Sequence, residues 1–240
     1  MELNKKLSAP LSTADTTKFA KVYKDGMAKL TEYQHGDGGW GWWAGDTTSA
    51  YLTPLVLEGL KLVKGVGYKV DDQMVSKGLS WQTTAIKTLT EQLNDPKHMA
   101  DSYFDSESRT DLAYMLFTQA LWQKKLNKSD LVAVNYLEKN LSTLTPEALS
   151  YFARALKLAG REDGAQKILD RLLVLANTTD ETIDWERGKA MLQKLGPNID
   201  EYSYYSYRFT PEETTALGLT AMLEVRPSET AKIERVKAWI

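Results

Sequence analysis

The side chains that could carry out chemistry are few and scattered. His35 and His98 are the only two histidines of the 240-residue chain, and there is no cysteine. Zinc and similar metals are held by clustered His and Cys side chains, so we expect no such site. The lack of cysteine also excludes disulfides, iron–sulfur clusters and a cysteine nucleophile. We interpret His35 as a turn residue and His98 as a solvated loop residue.

Two groups of acidic residues invite a metal interpretation, which the sequence does not favour. Asp71 and Asp72 could begin an Asp-rich diphosphate motif, but Gln73, Met74 and Val75 follow in place of a third Asp. A helix N-terminus attracts acidic side chains, and we predict a helix cap there. The same explanation suits a second acidic group: Asp101, Asp105, Glu107 and Asp111.

The chain offers no set of residues for catalysis. We find no nucleophile elbow, no phosphate-binding loop and no paired nucleophile and base. The sequence therefore predicts a protein that is not an enzyme and that uses no cofactor.

The strongest local signal is the segment from Gln34 to Trp43, which reads QHGDGGWGWW. A helix is predicted to end at Gln34, and four glycines then allow a left-handed or crowded backbone. We expect the three Trp side chains to pack back onto the helix ends. The main interpretation is a structural turn in which Gln34 satisfies backbone groups at a helix end and Trp40 covers the junction. The alternative is an aromatic cleft for a sugar or an isoprenoid.

Composition sets wider limits. The chain is 42% hydrophobic and 26% charged, which fits one globular domain over residues 1–240. The net charge of −2 gives no basic excess for nucleic-acid binding. No apolar run approaches the roughly 18 residues that a membrane span needs, and the N-terminus lacks the apolar core of a signal peptide.

Helical periodicity dominates the chain. Thr145 and Thr210 each precede a proline and are predicted helix caps, and Glu213 should complete a capping box with Thr210. Residues 94–108 and 177–210 are predicted as extended loops, in which 182–185 and 202–209 form either a small hairpin or an extended segment. The predicted helices are 15–33, 48–64, 71–93, 109–125, 129–142, 146–159, 162–176, 211–224 and 228–240.

Two kinds of helix alternate along the chain. Four helices, centred near residues 55, 117, 153 and 218, repeat small, aromatic and apolar residues in one register. The helices between them carry a single apolar stripe. We therefore expect an all-α fold in two layers, with the first kind covered on every side and the second kind exposing a polar face.

Two families share these motifs. The spacing of Gln34, Gly38 and Trp40 resembles the Gln–Trp motif of triterpene cyclases. A longer match resembles the thioester-containing domain of bacterial α2-macroglobulin-like proteins, an endopeptidase inhibitor family, over residues 15–240. The residues that carry it are Gln34, Asp37, Gly38, Gly39, Trp40, Trp42 and Trp43, and further along Trp185, Glu213 and Thr214.

This resemblance implies a fold and a role. The fold is an α/α toroid, a terpenoid cyclase-like ring of inner and outer helices. Members trap proteases: a bait region is cut, and a buried thioester from a Cys-x-Glu-Gln motif then acylates the protease. That motif is absent from this sequence. Either it lies upstream of a toroid that is incomplete at its N-terminus, which is the alternative we favour, or this relative lacks the thioester. His98 lies in the loop that holds an acyl-transfer histidine in some relatives, but its neighbours do not match.

The resemblance also implies partners and a location. We expect a scaffold and interaction domain that contacts other domains of the parent protein and the target protease. The location is the cell envelope, in the periplasm or outside the cell. One alternative is a terpenoid cyclase or prenyltransferase-like enzyme, but the paired Asp-rich motifs and a zinc-binding Cys are missing. Another is a carbohydrate-active toroid, which would need two facing carboxylates.

Overall fold

The structure is a computed structural model, and it describes residues 13–95, 97, 102–186 and 209–240. Nine α-helices and one two-stranded hairpin lie in these residues. The helices are α1 (Thr13–Glu32), α2 (Leu52–Gly65), α3 (Asp72–Asn94), α4 (Ser102–Gln123), α5 (Lys128–Lys139), α6 (Pro146–Leu158), α7 (Glu162–Leu175), α8 (Pro211–Val225) and α9 (Thr230–Lys237). The all-α class predicted from the sequence is confirmed.

The start of α4 is the largest difference from the prediction. The helix begins at Ser102, whereas the sequence predicts a loop up to residue 108. The polar side chains of this stretch predict a solvent-exposed loop, yet Asp105, Ser108 and Thr110 are only 5–6% exposed. The extended loop predicted for 102–108 is therefore wrong, because a buried helix turn can carry polar groups when they find partners.

Threonine and asparagine side chains cap several helices, and the two threonine caps are those that the sequence predicts. Thr145 precedes α6 and its side chain accepts a hydrogen bond from the backbone of Ala148. Thr210 and Glu213 form the predicted capping box at the start of α8. Asn127 and Asp130 form another at the start of α5, which the sequence analysis missed. These caps satisfy N–H groups that have no partner inside the helix.

The chain divides into two compact units, one up to Ala85 and one from Ile86 onward. In the first unit, Trp40 is buried together with apolar residues of α2 and of the start of α3: Leu57, Leu60, Met74 and Val75. This small core surrounds the side chain of Trp40.

The second unit is built around two helices. Helix α4 packs on α6, which also contacts α7 and α8. Residues 112–120 of α4 and 146–156 of α6 are buried on all sides, while α5 and α7 bury a single stripe each. The predicted alternation therefore holds for α4 to α7. It is wrong for α2 and α8, which expose Leu55, Leu62 and Leu223.

The hairpin uses a different partner strand from the predicted one. Strand β2 (Ile183–Asp184) falls where an extended segment is predicted, but it pairs antiparallel with β1 (Asn177–Thr178). Residues 202–208, the predicted partner, lie outside the described residues. In the described part of the chain, no helix combines the length and the apolar character that crossing a membrane requires.

Candidate functional site

Trp40 is the centre of the turn that the sequence analysis singles out. Its side chain is 2% exposed, and its indole N–H donates a hydrogen bond to the carbonyl of Leu30 at 2.8 Å. That carbonyl belongs to the last turn of α1 and has no partner inside the helix. The backbone N–H of Trp40 donates to Oγ1 of Thr53 at 3.0 Å. Trp40 thus joins the end of α1 to the beginning of α2.

Gln34 connects the same turn to the next helix. Its Nε2 donates to the carbonyl of Gly38 at 2.8 Å and to the carbonyl of Met74 at 2.9 Å. The sequence predicts that Gln34 binds a backbone group left unpaired at a helix end. The carbonyl of Met74 is not such a group, because it lies in the first turn of α3 and is also paired with an N–H one turn further along the helix.

Two glycines of the segment occupy places that no other residue fits. Gly38 has φ +102°, and a Cβ there would lie 2.6 Å from the backbone oxygen of Lys77. A Cβ at Gly39 would lie 2.8 Å from Oγ1 of Thr53 and would also collide with the methyl group of Thr48. The glycines therefore permit the turn to approach α2 and α3 closely.

A polar network supports the turn from its other side. Asp37 accepts hydrogen bonds from the Thr48 hydroxyl at 2.8 and 2.9 Å and from the backbone N–H of Gly39 at 3.1 Å. Nδ1 of His35 lies 2.8 Å from the Thr48 oxygen, and its Nε2 lies 2.9 Å from the carbonyl of Trp43. These contacts join His35 to both Thr48 and the Trp43 end of the turn, so its imidazole serves the structure of the segment.

Trp42 and Trp43 do not pack onto the helix ends, which corrects the sequence-based expectation for these two residues. Their side chains are 67% and 72% exposed. Their backbone N–H groups donate to Oδ2 of Asp46 at 2.8 and 3.2 Å, so the turn itself is held while the rings project into solvent. Of the three tryptophans in the segment, Trp40 alone belongs to the core.

Trp185 occupies an equivalent junction in the second unit. It is fully buried, its indole N–H donates to the carbonyl of Leu172 at 2.8 Å, and its backbone N–H donates to Oγ1 of Thr215 at 3.2 Å. It therefore connects the end of α7 to α8.

The remaining predicted motif residues lie at and after the start of α8. Glu213 is the exposed acidic partner of the capping box, and its Oε2 accepts from the backbone N–H of Thr210 at 2.8 Å. Thr214 is fully buried and its hydroxyl donates to Oε1 of Glu147 at 2.6 Å. This bond joins α8 to α6, so Thr214 acts in packing between helices.

Charged side chains buried on α6 were missed by the sequence analysis. Arg154 is 7% exposed, donates to both oxygens of Glu224 at 3.0 and 3.1 Å, and lies 4.0 Å above the ring of Phe117. Glu147 lies seven residues earlier on the same helix. The signal that could have revealed them is two charged residues seven positions apart in a helix whose other residues between them are mostly apolar.

The acidic residues have structural partners. Asp71 accepts from the backbone N–H of Gln73 at 2.8 Å at the start of α3, and Asp72 pairs with Lys64 at 2.9 Å. In the described residues, no three His, Cys, Asp or Glu side chains come together to hold a metal ion. His98 and Asp101 lie outside the described residues. Asp71 and Asp72 thus serve hydrogen bonds and ion pairs within the fold.

Comparisons with known proteins identify the family. A family model described as the A-macroglobulin TED domain matches residues 3–240. Alpha-2-macroglobulin of Thermotoga maritima is 28% identical over 95 residues, which are 40% of this chain and 6% of that protein.

Solved structures agree with this match. Native alpha-2-macroglobulin of Escherichia coli, from domain MG7 to its C-terminus, has a TM-score of 0.65 at 18% identity, over 96% of this chain and 32% of that one. Salmonella alpha-2-macroglobulin reacted with methylamine has a TM-score of 0.63 at 19% identity, over 94% of this chain and 13% of that one. These likenesses show the fold, and the α/α-toroid class predicted from the sequence is confirmed. The chain belongs to the A-macroglobulin TED domain family.

Proposed function

We propose that this chain is a scaffold and interaction domain of a macroglobulin-like inhibitor that traps proteases, and that it makes no covalent bond itself. One observation carries the proposal: a chain that matches this family over residues 3–240 contains no cysteine. A thioester needs a cysteine sulfur, which departs as a thiolate when a nucleophile of the protease attacks the acyl group. No residue of this sequence can supply that sulfur.

The hydrogen bonds of the Gln34–Trp43 segment support a structural role. The side-chain groups of Gln34, Asp37 and Trp40 that would bind or polarise a substrate instead bind backbone and threonine groups of the fold. A catalytic group must keep an atom within hydrogen-bond reach of a substrate. We therefore propose that the domain is not an enzyme.

The proposed partners are the other domains of a longer protein and the protease that this protein traps. The chain spans 6% of the Thermotoga relative and 32% of the Escherichia coli structure, so most of each relative lies outside the matched region. By analogy with bacterial α2-macroglobulins, the proposed location is the periplasm or the outside of the cell.

Trypsin provides a direct test, because one solved relative is described as trypsin-activated alpha-2-macroglobulin from Escherichia coli. The isolated chain, the full parent protein and a parent protein lacking this domain are each mixed with trypsin. Cleavage of a large protein substrate is then followed. We expect that only the full parent protein inhibits trypsin. The isolated domain is proposed to contact the protease and the other domains, but not to capture the protease by itself.

Two results would contradict the proposal. One is inhibition of trypsin by the isolated chain, which would make it an inhibitor by itself. The other is full inhibition by the parent protein after removal of the domain, which would leave the domain without a part in trapping. The Escherichia coli relative serves as the positive control for the assay.

A further inference from the structure

A groove of about 800 Å³ lies between α5 and the C-terminal part of α3, within the second unit. Each helix lines it with side chains three or four residues apart, which is the spacing of one helix face. The lining residues that matter for the argument are Lys87, Asn94, Lys128, Asn135, Tyr136 and Lys139.

The groove is positively charged although the chain is not. Three lysines line it against one acidic residue, Glu91, while the net charge of the whole chain is −2. Glu91 already lies 3.9 Å from Lys87. Lys128 and Lys139 form no ion pair with any residue in the described ranges, and both are exposed. Two cations are therefore available to an acidic ligand.

The spacing of the two lysines sets the length of that ligand. Lys128 and Lys139 are the first and last residues of α5. At about 1.5 Å per residue, the eleven steps between them span roughly 16 Å along the helix. An extended peptide advances about 3.3 Å per residue and points successive side chains to opposite faces, so acidic residues on one face about four positions apart would span roughly 13 Å and reach both flexible lysine side chains.

Polar groups between the lysines suit a peptide backbone. Asn135 is exposed, and a side-chain amide both donates and accepts hydrogen bonds, as a peptide group does. The Tyr136 hydroxyl accepts from Nε of Arg109 at 3.1 Å, and its buried ring forms part of the groove wall. Asn94 uses its amide nitrogen on the carbonyl of Thr90 and retains an oxygen that can accept.

We infer that this groove is a docking site for an extended acidic segment of a partner protein, with carboxylates bound by Lys128 and Lys139. The inference is independent of the proposed protease-trapping role, because it depends only on the charge, length and polar lining of the groove.

The test uses the full chain and a fluorescein-labelled peptide that carries two glutamates four residues apart in a Gly-Ser background. Fluorescence anisotropy measures its affinity at low and high salt. We expect binding that weakens about tenfold in the K128A/K139A double variant, since two exposed ion pairs are lost. High salt should weaken wild-type binding, because these charges are solvent-exposed.

A matched variant controls for net charge. K167A/K237A also removes two exposed lysines but leaves the groove intact, and it should bind the peptide like wild type. Equal melting temperatures of the variants would show that all are folded. No binding to wild type, or equal binding to K128A/K139A, would overturn the inference. Tighter binding of a 20-nucleotide single-stranded DNA than of the peptide would also overturn it, in favour of a nucleic-acid partner.

Discussion

Trp40 and Trp185 hold two helix junctions with the same pair of hydrogen bonds. Each indole N–H donates to a carbonyl in the last turn of the preceding helix, at 2.8 Å in both cases. Each backbone N–H donates to a threonine oxygen of a later helix, α2 for Trp40 at 3.0 Å and α8 for Trp185 at 3.2 Å. The fold therefore uses one device twice, and both copies satisfy groups that a helix leaves unpaired.

Removing the Trp40 side chain should destabilise the protein strongly. Truncating a buried Trp costs about 3–5 kcal/mol, against a total stability of about 5–15 kcal/mol for a domain. We expect W40A to lower the melting temperature measured by far-ultraviolet circular dichroism, or to prevent soluble expression. Trp42 is the matched control, because W42A removes an exposed ring and should change stability by no more than about 0.5 kcal/mol. Equal melting of the two variants would contradict the assignment of Trp40 to the core.

The glycines that face the two tryptophans should resist substitution. A Cβ at Gly78 would lie 2.8 Å from the ring of Trp40, and a Cβ at Gly218 would lie 2.5 Å from the ring of Trp185. Overpacking of this kind costs about 1–3 kcal/mol, so G78A and G218A should each unfold at lower denaturant concentration.

Gly59 is the control for this pair, because it also lies inside a helix but a Cβ there would meet no atom within 4 Å. G59A should stabilise the protein by about 0.4–1 kcal/mol, since alanine restricts the unfolded chain. If G78A or G218A were as stable as G59A, the close packing described for the tryptophans would be wrong.

The buried bond between Thr214 and Glu147 should contribute measurably to stability. The two groups lie 2.6 Å apart on α8 and α6, and both residues are fully buried. T214V keeps the shape but removes the donor, and depriving a buried polar atom of a donor costs about 1–3 kcal/mol. Urea unfolding should show this loss, and T214S, which retains the hydroxyl, should recover most of it. A T214V protein as stable as wild type would mean that the bond contributes nothing.

The buried carboxyl of Asp130 should make the stability of the protein depend on pH. Burial raises the pKa of this carboxyl, and the backbone hydrogen bond from Asn127 lowers it by less. A folded-state pKa above the unfolded value means that the contribution to stability is present at low pH and is lost as pH rises through the folded pKa. D130N keeps an oxygen that can accept from Asn127 and carries no charge. Its stability relative to wild type should therefore rise between pH 3.5 and pH 7. If the difference in stability between D130N and wild type stayed constant or fell over this pH range, the raised pKa of Asp130 would be contradicted.

Local signals in the sequence were sufficient for most helices. Capping threonines followed by proline placed the starts of α6 and α8 correctly, because the bonds of a cap are local. The start of α4 was missed because Asp105, Ser108 and Thr110 are polar but buried. Their burial depends on helices that pack from elsewhere in the chain, which no local pattern reveals.

The site was predictable to a smaller extent. The sequence identified Trp40 as the residue that covers the junction, but its expectation that Trp42 and Trp43 also pack onto the helix ends is wrong. The direction of each ring depends on the backbone path through Gly38 and Gly39, which is fixed by contacts with α2 and α3. The groove between α3 and α5 was not predictable, since its lysines become neighbours only when the two helices are placed side by side.

Mass spectrometry after treatment with methylamine tests the central claim most directly. The Salmonella relative is described as reacted with methylamine, and it supplies the positive control. This chain has no cysteine to form a thioester, so we predict an unchanged mass after incubation under conditions in which the control reacts. A stoichiometric methylamine adduct on any Gln or Glu of this chain would show an activated acyl group and would contradict the account of a domain without capture chemistry.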